Sequence, residues 1–157
     1  GVNLGNWLVL EKWMSPALFA GTTAEDEYYL PRQLSKEVYE ARIKIHRAEY
    51  ITERDFVTIK SMGMEAVRIP VPYFIFGDRE PFIGCVEELD KAFNWAEAYG
   101  LQILIDLHTA PLDRTDLITA ESVVYANGHS IRKKWNLFFL YWNVWQNAME
   151  TEKAYGE

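Results

Sequence analysis

Polar side chains suited to chemistry gather where three apolar runs of the chain end: Glu11 and Trp13 after the first, Arg68 inside the second, and Asp106 and His108 at the close of the third. A carboxylate accepts hydrogen bonds from hydroxyls, an indole stacks on the apolar face of a ring, and an arginine fork orients a carboxylate. The C-terminal ends of parallel strands are where such sites are built, so the placement favours function. Each residue also has a plainer reading. Glu11 could be an exposed loop carboxylate, Arg68 the partner of some nearby acid, Trp13 a packing residue and His108 a satisfied strand-end histidine. Asp106 and His108 could imitate a metal pair, but no helical His-Glu-x-x-His or cysteine cluster accompanies them.

The elements that position these residues can be read from the apolar pattern. Val2 to Leu10 is largely apolar and closes at Glu11, with Gly1 and Gly5 near its start, consistent with a first buried strand running into a loop. Ser15 to Tyr50 is an excursion resembling an inserted lid, with Gly21-Thr22-Thr23, an acidic run Glu25 to Glu27 that is most simply a solvated turn, and a helical stretch near Lys36 to Ala48. Thr52-Glu53-Arg54-Asp55 is an N-cap pattern; Phe56, Ile59 and Met62 recur at helical spacing until Gly63 supplies the C-terminal stop. Ala66 to Val71 reads as a second buried strand, stopped by Pro70 and Pro72. A helical stripe from Val86 to Tyr99, ended by Gly100, leads into a third strand over Leu101 to His108. Strands alternating with helices imply parallel pairing through crossovers, hence an α/β layer or barrel.

Composition bounds the function classes. The 157 residues are 49% hydrophobic and 25% charged, the balance of an ordinary globular domain. A complete eight-stranded βα barrel usually takes about 250 residues and seldom fewer than about 200, so a barrel here is expected to be partial. The net charge of -7 opposes nucleic acid and anionic membranes and suits a neutral substrate. Cys85 is the single cysteine, which leaves no internal disulfide and no cysteine-based zinc site. The first residues show no signal peptide, which slightly favours the cytoplasm, and Trp135 to Trp145 is too short and too often interrupted for a membrane span.

Three segments together resemble glycoside hydrolase family 5, in its exo-β-1,3-glucanase branch: Gly1-Val2-Asn3-Leu4-Gly5-Asn6-Trp7-Leu8-Val9-Leu10-Glu11-Lys12-Trp13, Val67-Arg68-Ile69-Pro70, and Ile105-Asp106-Leu107-His108-Thr109-Ala110-Pro111. Asp26-Glu27-Tyr28 and Tyr50 to Phe56 fall between them in the same order. The likeness covers residues 1–111 and implies part of a TIM (β/α)8 barrel with about three parallel strands. It further implies that Glu11 and Trp13 contact a sugar at its non-reducing end, that Arg68 positions the nucleophile, and that His108 hydrogen-bonds near the cleaved residue. The family hydrolyses β-glucans with retention, using an acid/base Glu in an Asn-Glu-Pro motif and a nucleophilic Glu after strand seven. Such chemistry needs two carboxyl groups about 5 to 5.5 Å apart. No Asn-Glu-Pro occurs, so no catalytic residue is assigned, and no metal or cofactor is expected.

After Pro111 the family continues in a glycine-rich loop of the type GSQNGFDN, whereas this chain reads Leu112-Asp113-Arg114-Thr115-Asp116. A shifted codon takes its last two bases from the first two of the next codon, so only the wobble base is free. With permitted third bases, Asp113 to Thr151 rereads as a segment beginning GSNGFDN, followed by an Asn-Pro-Glu-Glu helix start and apolar residues at helical spacing. Residues 112–157 are therefore expected to be a frameshifted, non-native tail, helical in part around Ser130 to Met149. Its stretch Trp135 to Trp145 is aromatic nearly all round, unlike a surface barrel helix with one apolar face.

The expected protein is thus a partial glycoside hydrolase, inactive alone, whose partner is a β-glucan or β-glucoside. Two rivals stand beside it. One is a non-catalytic carbohydrate-binding fragment using Glu11, Trp13, Arg68 and His108. The other is an interaction protein that completes its barrel by oligomerising through exposed apolar surface. A metal-dependent hydrolase using His46, Asp106 and His108 ranks last.

Overall fold

The computed structural model describes residues 1–109 and the backbone of a strand at Val124–Ala126. The strands β1 (Val2–Asn3), β2 (Ala66–Val71) and β3 (Gln102–Leu107) pair in parallel in chain order. Helices α1 (Leu30–Gln33), α2 (Lys36–Tyr50) and α3 (Glu53–Ser61) lie between β1 and β2, and α4 (Val86–Tyr99) lies between β2 and β3. The expected α/β arrangement of three parallel strands is present. A fourth strand, β4 (Val124–Ala126), runs antiparallel to β3 in the stretch expected to be a mostly helical tail. The rest of that tail, including Ser130 to Met149, lies outside the described residues.

Local chemistry explains the helix limits. The Asp55 carboxylate accepts both the Thr52 N–H (2.7 Å) and the Thr52 hydroxyl (2.8 Å), closing the first turn of α3 where the N-cap pattern placed it. Gly100, in the left-handed region at φ 64°, ends α4, and the following Leu101 N–H returns to the Ala96 carbonyl at 2.9 Å. The helical stretch expected to reach Ala48 continues to Tyr50 and buries Tyr39, Ile43, His46 and Arg47, one face at helical spacing.

The first strand is much shorter than the expected Val2 to Leu10. After Asn3 the chain turns through Asn6, a non-glycine residue at φ 60°. The apolar side chains beyond the turn divide between two cores: Leu4, Trp7 and Leu8 enter the main one, and Leu10 joins Phe19, Ala24, Leu30, Tyr39 and Ile43 in the other. A largely apolar stretch signals burial without specifying an extended backbone.

Pro70 does not stop β2 but lies within it, opposite Asp106 of β3. Arg68 turns its carbonyl to β1, accepting from Leu4 N–H at 2.8 Å, whereas Val71 turns its carbonyl to β3, accepting from His108 N–H at 2.9 Å. Pro70 has the parity of Arg68, so its missing N–H faces the edge where the two-residue β1 has already ended. No ladder bond is lost there.

The pleat sorts side chains to two faces. Val67, Ile69 and Val71 join Ile103, Ile105 and Leu107 against Phe56 and Ile59 of α3 and Leu89, Ala92, Phe93 and Ala96 of α4. All six strand residues are buried, each stabilising the fold by about 1.5–3 kcal/mol. The alternate residues Arg68, Pro70, Leu104 and Asp106 consequently lie on the other face, as does His108 just beyond β3.

Candidate functional site

The turn after β1 is organised by Asn6, which is fully buried. Its side-chain oxygen accepts the Glu11 N–H at 2.8 Å, its amide donates to the Ser15 hydroxyl at 2.7 Å, and its backbone carbonyl meets Nε2 of His46 at 2.6 Å. The Glu11 carbonyl in turn accepts from the Met14 and Ser15 N–H groups. Glu11 is therefore held at its own backbone. Its carboxylate accepts the indole N–H of Trp13 at 2.9 Å, and Trp13 is 79% exposed. A large aromatic ring left in solvent while its N–H is fixed has a face free for contact.

Gly5 joins this corner to the sheet. A Cβ there would lie 2.9 Å from Glu11 Oε1 and 3.2 Å from Asn3 Nδ2, so the two polar groups flank one point. Asn3 Oδ1 accepts from Arg68 Nη1 at 2.9 Å, and Arg68 Nη2 is paired with Asp106 Oδ2. The same Asp106 oxygen lies 2.8 Å from His108 Nδ1. Asn3, Arg68, Asp106 and His108 thus form one polar line across the face of the sheet opposite the helices, and the Trp13–Glu11 pair stands on the turn beside it at Gly5. The four residues given a sugar-binding role in the sequence fall on this line or on the turn beside it. Asn3 was missed, and Asp106 was noticed at the close of the third strand and weighed as half of a metal pair, but given no binding role. Their signal is parity: both share the strand face of Arg68, a relation that needs the register to be known.

The metal reading of His46, Asp106 and His108 is not supported. His46 sits on α2, engaged by the Asn6 carbonyl and packed on the Tyr50 ring at 4.7 Å. Asp106 is committed to Arg68 and His108. Among the described residues, no cluster of three or more His, Cys, Asp or Glu could hold a metal ion. Among the same residues, no helix is long and apolar enough to cross a membrane. The single cysteine, Cys85, is buried, and burial pushes its thiol up to about 12. It remains a packed thiol rather than a nucleophile.

The acidic run is not wholly a solvated turn. Glu25 and Asp26 are exposed, but Glu27 is 6% exposed and accepts the Tyr39 hydroxyl at 2.8 Å, with Arg47 Nη2 at 3.7 Å. Arg47 also donates to the Gly84 carbonyl at 2.7 Å, and its own carbonyl accepts the Trp7 indole N–H at 2.9 Å. These contacts fasten the excursion over 15–50 to the turn after β1. Burial raises the Glu27 carboxyl above its ordinary range, with Arg47 and Tyr39 opposing. The available signal was Tyr39, Ile43 and Arg47 on one face of α2, which demands a buried counter-charge for the arginine.

No family model matches the chain. Among curated proteins, residues of this chain are 47% identical over 116 positions to the probable glucan 1,3-beta-glucosidase A of Emericella nidulans, covering 71% of this chain and 29% of that protein. They are 40% identical over 124 positions to the glucan 1,3-beta-glucosidase of Kluyveromyces lactis, again 71% of this chain and 29% of that one. The chain therefore spans less than a third of the length of these relatives. Among solved structures, the fold is similar to AoRut (TM-score 0.65, 28% identical, 82% of this chain and 38% of that one). It is also similar to the rutinosidase from Aspergillus niger (TM-score 0.62, 27% identical, 71% of this chain and 33% of that one).

The buried groups around Asn6 set a pH dependence. Burial, reinforced by neighbouring Arg47 and opposed by the hydrogen bond to Asn6, lowers the His46 pKa from its ordinary 6.5. The folded state then binds fewer protons than the unfolded chain, so this stability is present above pH 6.5 and is lost as pH falls below it. Urea unfolding at pH 7.5 and 5.5 is expected to show a lower midpoint at the acidic pH. His46→Gln, whose amide can still donate to the Asn6 carbonyl, should reduce that drop; an equal drop in both proteins would contradict the assignment.

Proposed function

Residues 1–111 are a segment of glycoside hydrolase family 5, and from that premise we propose that the polar line and the Trp13–Glu11 pair beside it hold the sugar of a β-linked glucan. The single observation that carries the reading is the grouping of these side chains: an arginine and a histidine are joined through Asp106 on one sheet face, and an exposed indole held by a carboxylate stands on the turn that borders Asn3. Trp13 stacks on a pyranose ring, Glu11 accepts its hydroxyl hydrogens, Arg68 presents a fixed fork to a carboxylate, and His108 hydrogen-bonds near the glycosidic bond. The names of the relatives, glucan 1,3-beta-glucosidases, support a β-glucan as the substrate class.

Binding and hydrolysis separate in this reading. Retention requires a proton donor and a nucleophilic carboxylate about 5 to 5.5 Å apart. On the described face, Glu11 is engaged by Trp13, and Asp106 by Arg68 and His108. A polypeptide of these 157 residues is therefore expected to bind laminari-oligosaccharides saturably without hydrolysing an aryl β-glucoside. Trp13→Ala should weaken the binding about tenfold, the effect of losing a stacking contact worth about 1.4 kcal/mol. Turnover by the purified chain, or unchanged affinity in the variant, would overturn this assignment.

Two finer proposals accompany it. Residues 112–157 are read as the product of a frameshift near residues 111–114, supported by the abrupt loss of the family pattern after Pro111. The nucleotide sequence should be compatible at every codon with the alternative reading beginning GSNGFDN; one incompatible codon in the loop disposes of the idea. Self-association is the other, supported by the exposed Trp13 and Met62 and by the short β1, beyond which the β2 edge has no strand neighbour among the described residues. Light scattering is expected to report species larger than a monomer, and a monodisperse monomer would refute it.

A further inference from the structure

Arg68 and His108, at the end of the polar line, share one acceptor. Asp106 is 2% exposed, and its Oδ2 receives both Nη2 of Arg68 and Nδ1 of His108, the latter at 2.8 Å. The carboxylate in an ion pair with a guanidinium can only accept. The hydrogen bond to His108 therefore requires the proton on Nδ1. In a neutral imidazole the other nitrogen, Nε2, then carries a lone pair and no proton. The backbone of His108 is fixed as well, since its N–H donates to the Val71 carbonyl at 2.9 Å.

We infer that Asp106 is a positioning residue that sets the tautomer of His108, so that Nε2 faces ligand as a hydrogen-bond acceptor and takes a hydroxyl proton donor of the sugar. This rests on the sugar-holding role proposed for the face and specifies its chemistry: at His108 the site selects a group that donates. Arg68 adds a second constraint, because it meets the same Asp106 oxygen as His108 and reaches Asn3 with Nη1 at 2.9 Å. Moving the Asp106 carboxylate would thus disturb two contact residues together.

The test is ¹⁵N-edited NMR of the imidazole in the full 157-residue chain at pH 8. The expected spectrum has a pyrrole-type Nδ1 and a pyridine-type Nε2 for His108; a protonated Nε2 overturns the inference. In Asp106→Asn the new amide can donate to Nδ1 and drive the proton to Nε2, as with the tautomer change that an Asp-to-Asn replacement causes in a serine protease triad. A variant with a native-like amide spectrum that keeps the Nδ1 proton also overturns it. Should the variant fail to fold, the wild-type assignment decides by itself. Addition of laminaribiose is expected to shift the Nε2 resonance. A silent titration with the Nδ1 proton in place refutes acceptance of a sugar hydroxyl by Nε2 and counts against the sugar-holding reading, while the control of the tautomer by Asp106 stands.

Discussion

The constraint behind the site is the pleat of β2 and β3. Once Val67, Ile69 and Val71 are buried with Ile103, Ile105 and Leu107 beneath α3 and α4, the intervening side chains have no choice of face. Arg68 and Asp106 are delivered to the same surface on neighbouring strands, and His108 follows one pleat later. A slip of one residue in the β2–β3 register would send Asp106 into the helix layer, where a carboxylate would be buried without a cation. The apolar core and the polar line are therefore two consequences of one register.

The corner carrying Glu11 and Trp13 is positioned by different means. No strand holds it; a buried asparagine does, by satisfying the Glu11 N–H and the Ser15 hydroxyl while its carbonyl meets His46. α2 presses on this turn through His46 and Arg47, and the Trp7 indole is tied to the Arg47 carbonyl. The excursion over 15–50 is consequently part of the support for the site rather than a detached lid. Buried polar groups are costly when unpaired, so this interlocking makes the turn specific in conformation as well as buried.

The two sets of contacts meet at Gly5, where a side chain would collide with both Glu11 and Asn3. The loop-held Glu11 carboxylate and the strand-held Asn3 amide both border this glycine, and Asn3 is hydrogen-bonded to Arg68. A surface with an aromatic plate at one end and a buried charge pair at the other combines stacking with directional hydrogen bonding. That pairing suits a ligand having ring faces and a periphery of hydroxyls.

Much of this was legible in the amino-acid order. Local patterns determined α3 with its Thr52 and Asp55 cap, α4 with its Gly100 stop, the extents of β2 and β3 to within a residue, and the candidates Glu11, Trp13, Arg68 and His108, because caps and apolar periods act over a few residues. Tertiary structure alone decided that Val2 to Leu10 breaks into a two-residue strand and a buried turn, that Glu27 lies inside against Tyr39 and Arg47, and that Asn3 and Asp106 both pair with Arg68 on one sheet face. Those outcomes depend on partners 12 to 65 residues away in the chain, whose proximity is created by packing and strand register and leaves no periodic trace in the sequence.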